Sequence, residues 1–173
     1  TIGQNEDLPG QTYYISAWTY SHDVSGTINL CVYQDTPCPV PPSNDECNVS
    51  TTILVNQSGG CPAGGSTFTT KDATPSSGFT AACDASTNQR DVFFTFNTDI
   101  YVDIKITFAK LTATNLKAQV YFDCNGGELY CWNPADGSAK TIAGLNPKAN
   151  AIQRVCSDAV DQGTFTVSLA VAL

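Results

Sequence analysis

The stretch SNDEC, at 43–47, sets Asn44, Asp45 and Glu46 side by side. Their oxygens are hard donors, and oxygen-rich loops of this kind suit calcium. Asp91, which opens the run DVFFTF, adds a carboxylate from across the edge of the domain. The same residue types also build Asx turns and polar strand ends with no ion at all. The oxygen donors these residue types offer to calcium are therefore Asn44, Asp45 and Glu46 together with Asp91, with an Asx turn as the alternative.

Other reactive groups are sparse. The chain has one histidine, His22, in a polar loop. A catalytic triad or a His-based metal site needs a nucleophile or further ligands beside it. No GxSxG, HExxH or glycine-rich phosphate loop occurs. The acidic residues are scattered, and none stands out as half of a glycosidase pair. No catalytic residue is assigned, and the chain reads as non-enzymatic. Trp18, Trp132, Tyr13, Tyr14 and Tyr20 have rings that stack on sugars, although strand aromatics more often pack across strands. Tyr13 and Tyr14 read as packing residues. Trp132, beside a Cys in a turn, is the candidate for an exposed ligand-binding ring.

Eight Cys in 173 residues point to an oxidising, extracellular setting. Cys124 and Cys131 bracket NGGELY, where NGG reads as a turn. A hairpin of that size brings two Cβ atoms to bonding distance, so Cys124–Cys131 is the expected disulfide. The pairing of the other six stays open. Eight Lys and Arg against sixteen Asp and Glu leave a net charge of −8. That excludes the clustered basic surface a nucleic-acid partner requires. No apolar run approaches the roughly 20 residues of a membrane-spanning helix.

Short strands must position these residues. DIYVDIKITF, at 99–108, alternates strictly, with Ile100, Val102, Ile104, Ile106 and Phe108 on one face. A period of two means a half-buried strand, because successive side chains point to opposite faces. FTVSLAVAL, at 165–173, repeats the pattern. STTILV at 50–55, DVFFTF at 91–96, KAQVYF at 117–122, YYISAW at 13–18 and TINLCVY at 27–33 are short and rich in β-branched or aromatic residues. Gly, Ser, Asn, Asp and Pro fill the gaps between them, and no amphipathic helix intervenes. The fold class is all-β: an antiparallel β-sandwich, jelly-roll-like and disulfide-stapled.

A weak internal repeat divides the chain. Sliding Leu8 onto Leu145 places Ile15 on Ile152, Gly26 on Gly163, and Ile28, Leu30 and Val32 on Phe165, Val167 and Leu169. Residues 1–36 thus read as the last strands of one sandwich repeat, 37–43 as a Pro-rich joint, and 44–173 as one complete repeat. Two isolated strands are marginal in water, and their edges invite pairing. They are expected to belong to a preceding domain, to pack within this chain, or to complete a neighbouring molecule.

PPSNDEC, RDVFFTF and the closing GTFTVSL resemble the repeated β-sandwich modules of Bacteroidetes secreted and cell-surface proteins. They are similar also to the bacterial pre-peptidase C-terminal domain and the collagen-binding-like domains related to it. In the collagen-binding relatives, Asn-Asp and an Asp before the D-x-F-x-F strand hold calcium, which the resemblance carries onto Asn44, Asp45 and Asp91. The Glu residues that precede Asn-Asp there are Val40, Pro41, Pro42 and Ser43 here. The resemblance implies a non-enzymatic structural or adhesive repeat of an extracellular bacterial surface protein or filament, and the orphan strands add polymerisation by strand sharing as one expected mode of assembly. Its alternative is an accessory carbohydrate- or matrix-binding domain of a secreted hydrolase. The expected partners are further copies, neighbouring repeats or surface glycans.

Overall fold

The computed structural model describes residues 39–172 apart from 59–64, 80–81, 84–88 and 135–136, together with Tyr14, Ser16, Gly26 and Thr27. The chain divides into two compact units, Thr1–Pro37 and Cys38–Leu173. The orphan strands read from 8–35, and His22 with them, lie outside the described residues. In the first unit Tyr14, expected to pack, is 93 % exposed.

The described residues of the second unit form a two-sheet sandwich of ten strands: β1 (Thr51–Thr52), β2 (Val55–Asn56), β3 (Ser66–Thr69), β4 (Gln89–Asn97), β5 (Ile104–Lys110), β6 (Leu116–Tyr121), β7 (Glu128–Trp132), β8 (Ala139–Ile142), β9 (Asn150–Asp158) and β10 (Thr164–Val171). One sheet runs β1-β4-β9-β6-β7 and the other β2-β10-β5-β8, with β3 also on β10. Most pairs are antiparallel, as expected, but β1 lies parallel to β4 and β2 parallel to β10. This follows from the run at 50–55, which splits in two. It pairs with one sheet at Thr51, then crosses to the other at Val55, with Ile53 N donating to Thr95 O at 2.9 Å.

The alternating residues meet in the middle. Val92, Phe94, Phe96, Ala118, Val120 and Val155 from one sheet face Ile104, Ile106, Phe108, Phe165, Val167 and Leu169 from the other. Phe94 and Phe165 touch edge to face across the gap, their centroids 6.2 Å apart. Each such side chain, fully buried, stabilises the fold by about 1.5–3 kcal/mol. Gln153 lies on this inner face, opposite Phe94, with no hydrogen-bond partner for its buried side-chain N and O.

Strand β5 starts later than the alternation at 99–108 predicts. Asp99 has φ 51°, and Tyr101 N donates to Thr98 O at 3.0 Å to close a turn. A left-handed residue ends an extended run, so Ile100 and Val102 are left 65 % and 45 % exposed. At the opposite end Gly163 lies so close to Thr112 and Ala113 that a Cβ there has no room. That explains the Gly in the Gly-Thr pair before β10.

The disulfides correct the expected pairing. Cys47 bonds Cys124 and Cys83 bonds Cys131, with Cα atoms 5.8 and 5.6 Å apart. The hairpin around Cys124 does form, with Gly126 N donating to Asp123 O at 3.2 Å. Its register, however, sets Cys131 opposite Gln119 and leaves Cys124 in the turn beyond the strand. The two sulfurs therefore cannot meet, and each reaches a loop that crosses the outer face of the sheet.

Candidate ligand site

Two of the motif residues, Asp45 and Asp91, hold the segment 74–76, and Asn44 docks beside them on β4. Asn44 docks on β4 by two bonds: Phe93 N donates to its carbonyl at 2.8 Å, and its Nδ2 donates to Phe93 O at 3.0 Å. Asp45 accepts from Thr74 N at 2.7 Å and from Thr74 Oγ1 at 2.6 Å. Asp91 accepts from Ser76 N at 3.1 Å, Ser76 Oγ at 3.2 Å and Arg154 Nε at 2.5 Å. Burial pushes the Asp91 carboxyl up, while Arg154 and Ser76 pull it back. Among the described residues no group of three or more His, Cys, Asp or Glu is placed to hold a metal ion. The oxygens expected to bind calcium act as a latch, tying the segment 74–76 to β4.

A buried polar layer lies behind that latch, on the outer face of the first sheet. Arg154 NH1 donates to Gln119 Oε1 at 2.5 Å, and Gln119 Nε2 donates to Glu128 Oε2. The Phe79 ring lies 5.6 Å from the guanidinium carbon and packs on Phe93 and Tyr121. Burial pushes the Tyr121 phenol up to about 12, partly offset by the Arg154 charge. Among the described residues this layer ties Phe79 and Glu128 to the outer face of the sheet.

Trp132 is not the exposed ring expected. It stands on the inner-face register of β7, opposite Ala118, and meets Phe108 edge on with centroids 6.2 Å apart. Its register on β6 turns it inward, whereas its neighbour Cys131, opposite Gln119, turns outward.

A concave polar surface lies at the other end of β4. A cavity of about 180 Å³ is lined by Leu54, Gln57, Asn97, Thr98, Asp99 and Tyr101. Its side chains hold one another. Asn97 Nδ2 donates to Asn150 Oδ1 at 2.8 Å, and Asp99 N donates to Asn97 Oδ1 at 2.7 Å. Gln57 Nε2 donates to Asp99 Oδ2 at 3.0 Å. Lys148, at φ 58°, donates its N–H to the Asp99 carbonyl, so two non-glycine residues with positive φ face each other here. Backbone held in such regions clusters at functional sites. Gln57 Oε1, Asp99 Oδ1 and the second N–H of the Gln57 amide have no bond to any described residue and remain for a ligand.

Sequence reading missed this site. Its residues come from four loops, and the apolar alternation drew 99–101 into a strand. The available signal was the excess of Asn, Asp and Gln at the ends of strands.

A family described as galactose binding domain-like, associated with T9SS (the type IX secretion system), matches residues 43–168. No curated protein and no solved structure matches the chain.

Proposed function

The chain belongs to this T9SS-associated, galactose-binding-domain-like family, and from that premise we propose that it is a non-enzymatic carbohydrate-binding module of a secreted or cell-surface protein. The proposed site is the amide-lined cavity beside Asp99. The observation that carries the reading is the set of unused polar atoms, two acceptors and one donor, held in place by neighbours. Amides and carboxylates fixed in this way match the paired donor and acceptor character of sugar hydroxyls, and prior ordering lowers the entropy lost on binding. Leu54, 85 % exposed, and Tyr101 supply an apolar wall for the C–H face of a sugar ring. The disulfides fit an extracellular setting. This reading favours the binding alternative over the filament. The strand sharing that would build a filament rests on residues 8–35, outside the described fold.

A neutral glycan array tests it. The intact chain is expected to retain a galacto- or gluco-configured ligand, and Gln57→Ala and Asp99→Gly are expected to lose it. Glycine suits the positive φ at position 99, so that variant removes the carboxylate without straining the turn. Absence of any retained neutral glycan, or variants that bind as the parent does, would overturn the reading.

A further inference from the structure

A second cavity, of about 340 Å³, opens at the start of β4 and is lined by Pro39, Pro41, Asp72, Thr74, Arg90 and Gln162, among others. We propose that it binds a monosaccharide-sized hydroxy acid of the uronic type, its carboxylate on Arg90 and its hydroxyls on Asp72.

The argument starts from Arg90. Among the described residues its side chain makes one bond, from Nη1 to Ala73 O at 3.2 Å. Across the ladder it faces Ser157, and its buried Nε–H has no acceptor. No described carboxylate pairs with it, although the chain carries twice as many acidic as basic residues. A half-buried guanidinium without a counter-ion is a standing invitation to an oxyanion, because charge-assisted bonds to carboxylates are among the strongest available.

Asp72 narrows the choice. Its backbone sits at φ 63°, and its N–H donates to Gln162 Oε1 at 2.8 Å. Gln162 is held in turn by its Nε2 bond to Ala159 O, at 3.1 Å. The Asp72 side chain bonds no described residue, and no ion pair joins it to Arg90. A simple anion satisfies Arg90 but is repelled by Asp72. A neutral sugar offers hydroxyls to Asp72 but leaves Arg90 unmatched. A uronic acid answers both. Thr74 Oγ1 donates to Asp45 and still has lone pairs for a third hydroxyl. Pro39 and Pro41 give a stiff apolar wall with no N–H to satisfy. The volume lies at the small end of the range for ligand pockets, about 300–1,000 Å³.

This site is separate from the amide-lined one. Arg90 and Asn97 mark opposite ends of β4, about 23 Å apart at about 3.3 Å per residue. The two readings therefore fail independently.

Titration calorimetry of the intact chain with galacturonate, galactose and acetate tests the proposal. Galacturonate is expected to bind more tightly than either control, and more weakly as salt rises from about 50 to about 500 mM. Arg90→Gln is expected to weaken it about tenfold or more, with Arg90→Lys intermediate and Asp72→Asn also weaker. Repeating the titrations in the Gln57→Ala background, which removes the amide-lined site, isolates this one. Melting curves report whether each variant is folded. Should Arg90→Gln unfold, Arg90→Lys and Asp72→Asn carry the test. In the Gln57→Ala background, galacturonate bound no better than galactose or acetate overturns the proposal, as do folded position-90 and position-72 variants that bind as their parent does.

Discussion

Arg154 Nε lies 2.5 Å from Asp91 Oδ2, and the two side chains are only 2 % and 0 % exposed. The residues are neighbours because β4 and β9 pair antiparallel, with Asp91 opposite Cys156 and Phe93 opposite Arg154. Removing one member leaves the other charge buried without its partner. Arg154→Met or Asp91→Asn is expected to destabilise the fold by about 3–5 kcal/mol. The double replacement Asp91→Asn with Arg154→Met is expected to lose less than the sum of the two. Urea unfolding of the four proteins measures this, and strict additivity would mean the pair is not coupled.

The disulfide map is the second expectation. A non-reducing peptide digest should yield Cys47–Cys124 and Cys83–Cys131. A peptide linking Cys124 to Cys131 would contradict the register of the β6–β7 hairpin. Replacing Cys47 and Cys124 with Ser is expected to lower stability by about 2–4 kcal/mol, seen as a lower urea midpoint.

Tyr121 gives a pH signature. Burial favours the neutral phenol, so the folded chain holds this proton more tightly than the unfolded one, where the value is 10.0. The contribution is complete below pH 10 and is lost as pH rises towards the folded value of about 12. Tyr121→Phe should flatten that alkaline loss in a melting series. At neutral pH it should be neutral or stabilising by about 1 kcal/mol, because the buried hydroxyl has no hydrogen-bond partner.

Calcium should leave stability unchanged. An ion that binds only the folded state at 100 times its Kd adds about 2.7 kcal/mol. Asp45 and Asp91 already accept from Thr74, Ser76 and Arg154. Melting temperatures with excess calcium and with a chelator are therefore expected to coincide, and a calcium-dependent rise would restore the ligand role of Asn44, Asp45 and Asp91.

Alternation along the chain was enough to announce the sandwich. Ile104, Ile106 and Phe108, with Phe165, Val167 and Leu169, are core residues where a period of two places them. Period two is a local property, fixed by the geometry of each peptide, and it survives whatever the strands pack against. Cysteine abundance likewise suggested cross-links. The oxygens of SNDEC suggested a metal loop; in the fold Asp45 accepts from Thr74 and Asp91 from Ser76 and Arg154, because a carboxylate offers the same lone pairs to a cation or to an N–H.

Tertiary structure alone decided the rest. Partners such as Asp91 and Arg154, Cys47 and Cys124, or Gln57 and Asp99 lie from 42 to 77 residues apart, and only strand order and register bring them together. Asp99 shows the same limit locally. Its place in an alternating run predicted a strand, yet the contacts closing on it from Asn97, Gln57 and Lys148 hold it in a left-handed turn. Pattern along a chain records which face a side chain takes; which neighbour it meets there is set by how distant strands align.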